Sequence, residues 1–167
     1  DIPLLSHGGT EYAVDSGEAQ ELGNPLRLRR ALDAGVRVIV AHCASLGESR
    51  DLDTDNDEPA SSFDLLVRML ESPTYEGRLF ADISALTQVN RGTRVLESIL
   101  RAQHLHPRLI NATDYPIPAL RILYSTTLLR ARRLITGDEA EAIDEIAESN
   151  PLLFDFVLKR CLRLHEG

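Results

Sequence analysis

The sequence predicts an α/β fold of repeated strand–helix units around a parallel sheet, on three observations. Residues 2–6, 36–41, 78–83 and 108–113 form short apolar runs rich in Val, Ile and Leu, with the weak polar alternation of strands covered on both faces. Amphipathic helical patterns lie between these runs. Strand and helix then alternate at the rhythm of βα units.

Taken in order, the first run, "IPLLSHGG", stops at His7. The helix pattern "NPLRLRRALDAG" (24–35) has Asn24 as a cap, Pro25 at the first helical position and Gly35 past the last turn, the usual start and stop signals. The second run, "VIVAHC", enters His42 and Cys43. Next comes an acidic stretch, "GESRDLDTDNDEP" (47–59). Counted from Asp51 as a calcium loop, it offers Asn56 and Ser62 where glycine and glutamate are needed. It therefore reads as a mobile, solvated loop, placed where a lid would sit.

"SSFDLLVRMLES" (61–72) begins a helix from a serine cap, and "TRVLESILRAQ" (93–103) begins another from Thr93. The fourth run, "RLINATDYP", stops at Asp114. Beyond it the patterns are helical: 118–134, then 137–149 with Asp138 as its cap, then 150–164 from an Asn-Pro start. Residues 1–116 thus form the βα part, and 117–167 a helical segment packing on the same domain.

The chain has 167 residues, 43% hydrophobic and 26% charged, enough for one soluble domain with a sizeable core. Its net charge of -8 disfavours nucleic acid and anionic lipid as partners, since both need basic patches. No apolar run approaches the roughly 20 residues needed to span a bilayer. The first residue is Asp and the first run is broken by Pro3, so no signal peptide is expected. Two distant cysteines, Cys43 and Cys161, fit a reducing cytoplasm and no metal spacing. "SHGGT" lacks the glycine spacing of a dinucleotide loop, which ranks a Rossmann-like domain lower.

Four parallel strands leave two open edges, and open edges invite pairing with other chains. A closed (β/α) barrel takes eight units. The chain therefore reads as half of a barrel or as a small open sheet.

Ligands of parallel α/β folds meet the carboxyl ends of the strands. His7, His42 and Asp114 all stand at such ends, and two imidazoles with a carboxylate suit zinc or a similar ion. Each also has a plainer reading: a histidine there can be a hydrogen-bonded structural residue, and Asp114 a turn former. Arg91 and Arg94 suit either a substrate carboxylate or the surface. Tyr12 and Tyr115 are candidates to line a pocket, and Cys43 reads as small buried packing. "HLHP" (104–107) precedes the last strand, at the end opposite the ligands, and reads as polar surface. The basic faces of 26–30 and 128–134 read as solvated or paired with the acidic helix 137–149.

"PLLSHGG", "VIVAHC", "LFADIS" and "NATDYP", in this order at successive strand ends, resemble the second half of the amidohydrolase superfamily barrel, in its branch of metal-dependent TIM-barrel hydrolases. "SNPLLFDF" is similar to the segment after the last strand of that branch. The resemblance implies that the four units are strands five to eight of a (β/α)8 barrel. It implies metal ligation by His7, His42 and Asp114, with one or two divalent ions, zinc first. Asp114 would also move protons, and His42 would bind a second metal or stabilise an oxyanion. Asp82 and Ser84 match an Asp-x-Ser of that branch, with Asp82 a candidate for substrate contact. Gly8 and Gly9 would let the loop turn and leave room for substrate.

The implied activity is metal-dependent hydrolysis of an amide, ester or lactone in a small-molecule substrate; decarboxylation in the same superfamily is the alternative. The family's first-strand His-x-His has no counterpart here. The other half of the barrel, in the same protein or another chain, is thus an expected partner, with a homo-oligomer also possible. A non-catalytic half-barrel serving association is the other reading.

Overall fold

A computed structural model describes residues 2–12, 17–55 and 58–164. Contacts gather the chain into two compact units: Asp1–Ser84 with His104–Asn111, and Ala85–Gln103 with Ala112–Gly167.

The first unit is α/β around a parallel sheet of four strands: β1 (Leu4–His7), β2 (Val38–Ala41), β5 (Leu79–Asp82) and β6 (Leu109–Ile110). Strands β3 (Glu48–Arg50) and β4 (Pro59–Ser61) form a separate antiparallel pair. In the main sheet each strand lies beside the previous one, in the order β1-β2-β5-β6. Register places Leu5 beside Ile39 and Ile39 beside Phe80. Val38, Val40, Leu79 and Ala81 are fully buried, whereas Ile39 and Phe80, pointing the other way, are half-buried and Leu5 is exposed. One face of the sheet is packed and the other is open.

Local chemistry explains the helices of this unit. Asn24 accepts from the Leu26 N–H at 3.1 Å and starts a 3-10 turn, Pro25–Leu28, that runs into α1 (Arg29–Asp33). Ser61 caps α2 (Ser62–Glu71) through the Asp64 N–H, and α2 buries Phe63, Leu65, Leu66, Met69 and Leu70. The fourth apolar run forms a strand only over Leu109–Ile110, paired with Ala81 and Asp82 of β5. At its foot the Arg108 guanidinium donates to the carbonyls of Leu70, Tyr75 and Leu79.

The acidic stretch is exposed over most of its described residues, as a solvated loop should be, but it is anchored. Strand β3 lies within it, β4 begins at its last residue, Pro59, and Asp51 is 7% exposed. Arg68 grips Asp51 with two hydrogen bonds of 2.8 and 2.6 Å. Arg29 grips Asp53 in the same way. Helices α1 and α2 therefore tie the segment down from outside it. Asn56 lies outside the described residues.

The second unit holds α3 (Arg94–Arg101), α4 (Thr126–Ala131), α5 (Gly137–Ser149) and α6 (Pro151–Cys161). The long helix expected over 118–134 is broken. Two 3-10 turns, Ile117–Ala119 and Arg121–Leu123, precede an extended Tyr124 that bridges to Gln88. Ser125 then caps α4 anew. The cap of α5 is Thr136, not Asp138: Thr136 and Glu139 form a reciprocal capping box, leaving Asp138 inside the first turn. Asn150 caps α6 as its Asn-Pro start predicts. Arg121 pairs with Asp144 of α5. No helix among the described residues is long and apolar enough to cross a membrane.

Candidate functional site

His7 is the last residue of β1 and pairs in register with Ala41, the last of β2. His42 follows at once, so parallel pairing brings both imidazoles to one rim. Their ring centroids are 5.4 Å apart, with ring planes inclined at 66°.

The chain turns abruptly there. His42, Cys43 and Ala44 have φ of 56, 51 and 47°, three consecutive non-glycine residues in the left-handed region, each costing about 1–2 kcal/mol. Asp82, ending β5, holds the turn. Its Oδ1 accepts from the His42 N–H at 2.9 Å and the Ser84 N–H at 3.0 Å. It also accepts a very short hydrogen bond from the Ser84 hydroxyl. Ser84 Oγ lies 2.7 Å from His42 Nδ1, and the Cys43 thiol donates to the Asp82 carbonyl at 3.1 Å. Such strain is retained where surrounding structure over-determines it, a pattern common at functional sites.

His7 is held more loosely. Its Nδ1 faces Glu11 Oε2 at 3.4 Å, and its Nε2 is buried with no hydrogen-bond partner. A cleft of about 280 Å³ opens beside it, lined by Ser6, Glu11, Gln20 and Leu22 among others. Gly9 is among the residues that line it, whereas Gly8 is a packing position. A Cβ at Gly8 would lie 2.5 Å from Val40 Cγ1 and 3.0 Å from Ala44 Cβ. Gly9, with φ 83°, donates to the Gly23 carbonyl at 2.8 Å. Both glycines serve close packing of the loop after β1 against its neighbours.

The separation of the two rings is near that of imidazoles that share an ion. With metal–nitrogen bonds near 2 Å and tetrahedral angles, two ligating rings have centroids roughly 5 Å apart. His7 contributes an orphaned nitrogen, and His42 has its other ring nitrogen fixed by a hydroxyl, as ligating histidines usually do. Among the described residues, no group of three or more His, Cys, Asp or Glu side chains is gathered to hold an ion.

Asp114 belongs to the second unit. It has φ 55°, and its carbonyl accepts from the Ile117 N–H at 2.9 Å, closing a turn. Its surroundings are built by α6. Lys159, the sole lysine of the sequence, donates to the Ala112 carbonyl at 2.6 Å and to Asp155 Oδ2 at 2.7 Å. Burial pushes the Asp155 carboxyl up, opposed by Lys159 and reinforced by the charge of Asp114. Burial also pushes the Tyr124 phenol up to about 12.

No family model, curated protein or solved structure matches the chain. The site is therefore read from its own residues.

The other candidates differ in their settings. Tyr12 is 76% exposed and Tyr115 64%. Arg91 sits in the second unit, near enough to Tyr124 to act on it electrostatically. Asp82 is 4% exposed, and its Oδ1 serves the backbone of His42. His104 is an exposed partner of Glu71 at 3.6 Å, in keeping with a surface role. Two groups escaped the sequence reading. Glu11 stands four residues beyond His7 in irregular chain, with no period to mark it. Asp155 and Lys159 have i,i+4 spacing on α6, an available signal of pairing.

Proposed function

We propose that this chain carries part of the metal-binding rim of an amidohydrolase-type, metal-dependent hydrolase. The observation that carries the reading is the His7–His42 pair, two imidazoles from adjacent parallel strand ends at the spacing of a shared ion. The strand order supports the finer fold reading, strands five to eight of a (β/α)8 barrel. A doubly wound sheet reverses its strand order at a switch point, and the order here runs without reversal. An open inner face of Leu5, Ile39 and Phe80 is what the missing strands of a barrel would cover.

In this reading His7 and His42 would hold the ion, zinc first among divalent candidates; the role of Asp114 as a further ligand rests on the resemblance alone, since the described residues gather no group of three. A bound divalent ion lowers the pKa of water to near 7 and polarises a carbonyl. Asp114 accepts a proton at its carboxylate and returns it to the leaving group of an amide, ester or lactone. Asp82 and Ser84 keep His42 in place, and the cleft beside His7 gives a small-molecule substrate its approach. The other half of the barrel, from the same protein or another chain, is the expected partner. Two cysteines far apart in the sequence, Cys43 and Cys161, suit a cytoplasmic setting.

The same open face also favours a second reading, a non-catalytic half-barrel that associates through it, with itself or another chain. Metal analysis separates the two. The enzyme reading expects purified protein to retain a divalent ion, and His7→Ala or Asp114→Ala to release it without unfolding the chain. Protein that takes up no divalent ion, or variants that retain it in full, would leave the association reading in its place.

A further inference from the structure

We infer that Ser84, oriented by Asp82, is a positioning residue that fixes neutral His42 as its Nδ1–H tautomer and so decides what His42 can do. The argument is a count of protons. A serine hydroxyl has one proton to donate. That of Ser84 goes to Asp82 Oδ1, an acceptor already receiving the N–H groups of His42 and Ser84 itself. Ser84 Oγ faces His42 Nδ1 at 2.7 Å with only lone pairs left to offer. The proton of this contact must come from the ring, so Nδ1 carries it and Nε2 carries the electron pair.

The chain of bonds is sheltered, with Asp82 4% and Ser84 1% exposed. It is also stiff: the carboxylate that fixes Ser84 fixes the His42 backbone as well, so ring and main chain are set by one group.

The consequence bears on the proposed site and rests on that reading. A neutral His42 with its proton on Nδ1 has no Nε2–H to donate to an oxyanion. It works as an electron-pair donor, a ligand for a cation or an acceptor of a proton. Of the two roles open to His42 from the sequence, this arrangement favours ligation over oxyanion stabilisation.

Long-range ¹H–¹⁵N correlation spectra of the full chain, with chelator present and at a pH where the imidazoles are neutral, read the tautomer directly. The His42 signals are assigned by their loss in His42→Gln. The expected pattern is a pyrrole-type Nδ1 and a pyridine-type Nε2. An Nε2–H pattern, or a mixture of the two, would overturn the inference. In Ser84→Ala the balance should move toward the Nε2–H form that imidazole prefers in water; an unchanged pattern in a folded variant would remove Ser84 from the account. If that variant does not fold, the wild-type spectrum decides alone. Because no metal is present, the result stands or falls separately from zinc binding.

Discussion

The carboxylate of Asp82 receives the backbone N–H of His42 at 2.9 Å, across a gap of forty residues in the chain. That bond pins a left-handed turn of three non-glycine residues at a strand end. Its removal has a definite cost. Asp82→Ala removes the acceptor of the buried Ser84 N–H and of the half-buried His42 N–H, at about 1–3 kcal/mol for each unsatisfied group. The expected loss is about 3 kcal/mol, read from urea unfolding midpoints. A loss below about 1 kcal/mol would mean that the turn holds itself.

Lys159 and Asp155 are both buried, with side chains 6% and 1% exposed. Lys159→Met strands a carboxylate in the interior and is expected to destabilise by about 3–5 kcal/mol. Lys159→Met combined with Asp155→Leu should recover most of that, since a pair replaced by apolar groups is close to neutral. Thermal and urea unfolding of the three proteins measure it, and equal losses in the single and double variants would contradict it.

Glu139 gives the stability a pH signature. Arg163 and the capping contacts with Thr136 hold its carboxyl down from 4.5 to about 2. The folded pKa lies below the unfolded one, so the stabilisation is fully present above pH 4.5 and is lost as pH falls toward about 2. Glu139→Gln should therefore lower Tm at neutral pH, with the difference from wild type shrinking through that window. A difference independent of pH would assign the effect to the amide's shape rather than to the charge.

Gly8→Ala tests the packing between the loops that carry the two histidines. The added methyl would meet Val40 Cγ1 at 2.5 Å, and overpacking of this kind costs about 1–3 kcal/mol. Val40→Ala in the same protein should relieve part of the clash, so the two changes together should be less damaging than their sum. Strict additivity would contradict that contact.

What was legible in the sequence was local, or repeated. Asn24, Ser61 and Asn150 announce their helices because a cap acts within one turn. The adjacency of His7 and His42 followed from two apolar runs ending alike, since parallel neighbours put their ends on one rim. The rest depended on distant partners. Tyr124 breaks the expected helix by bridging to Gln88, and no spacing within 118–134 encodes that bridge. The acidic segment is ordered by Arg29 and Arg68, which lie outside it. Thr136 shows the opposite case, its Thr-x-x-Glu being a plain local signal passed over in favour of Asp138.

The most direct test is a zinc titration of four proteins: wild type, His7→Ala, His42→Ala and the double variant. If one ion is shared, each single substitution should weaken binding by about tenfold or more, and the double should lose little beyond either single. Binding that is absent from wild type, or losses that simply add, would contradict a common ion on this rim.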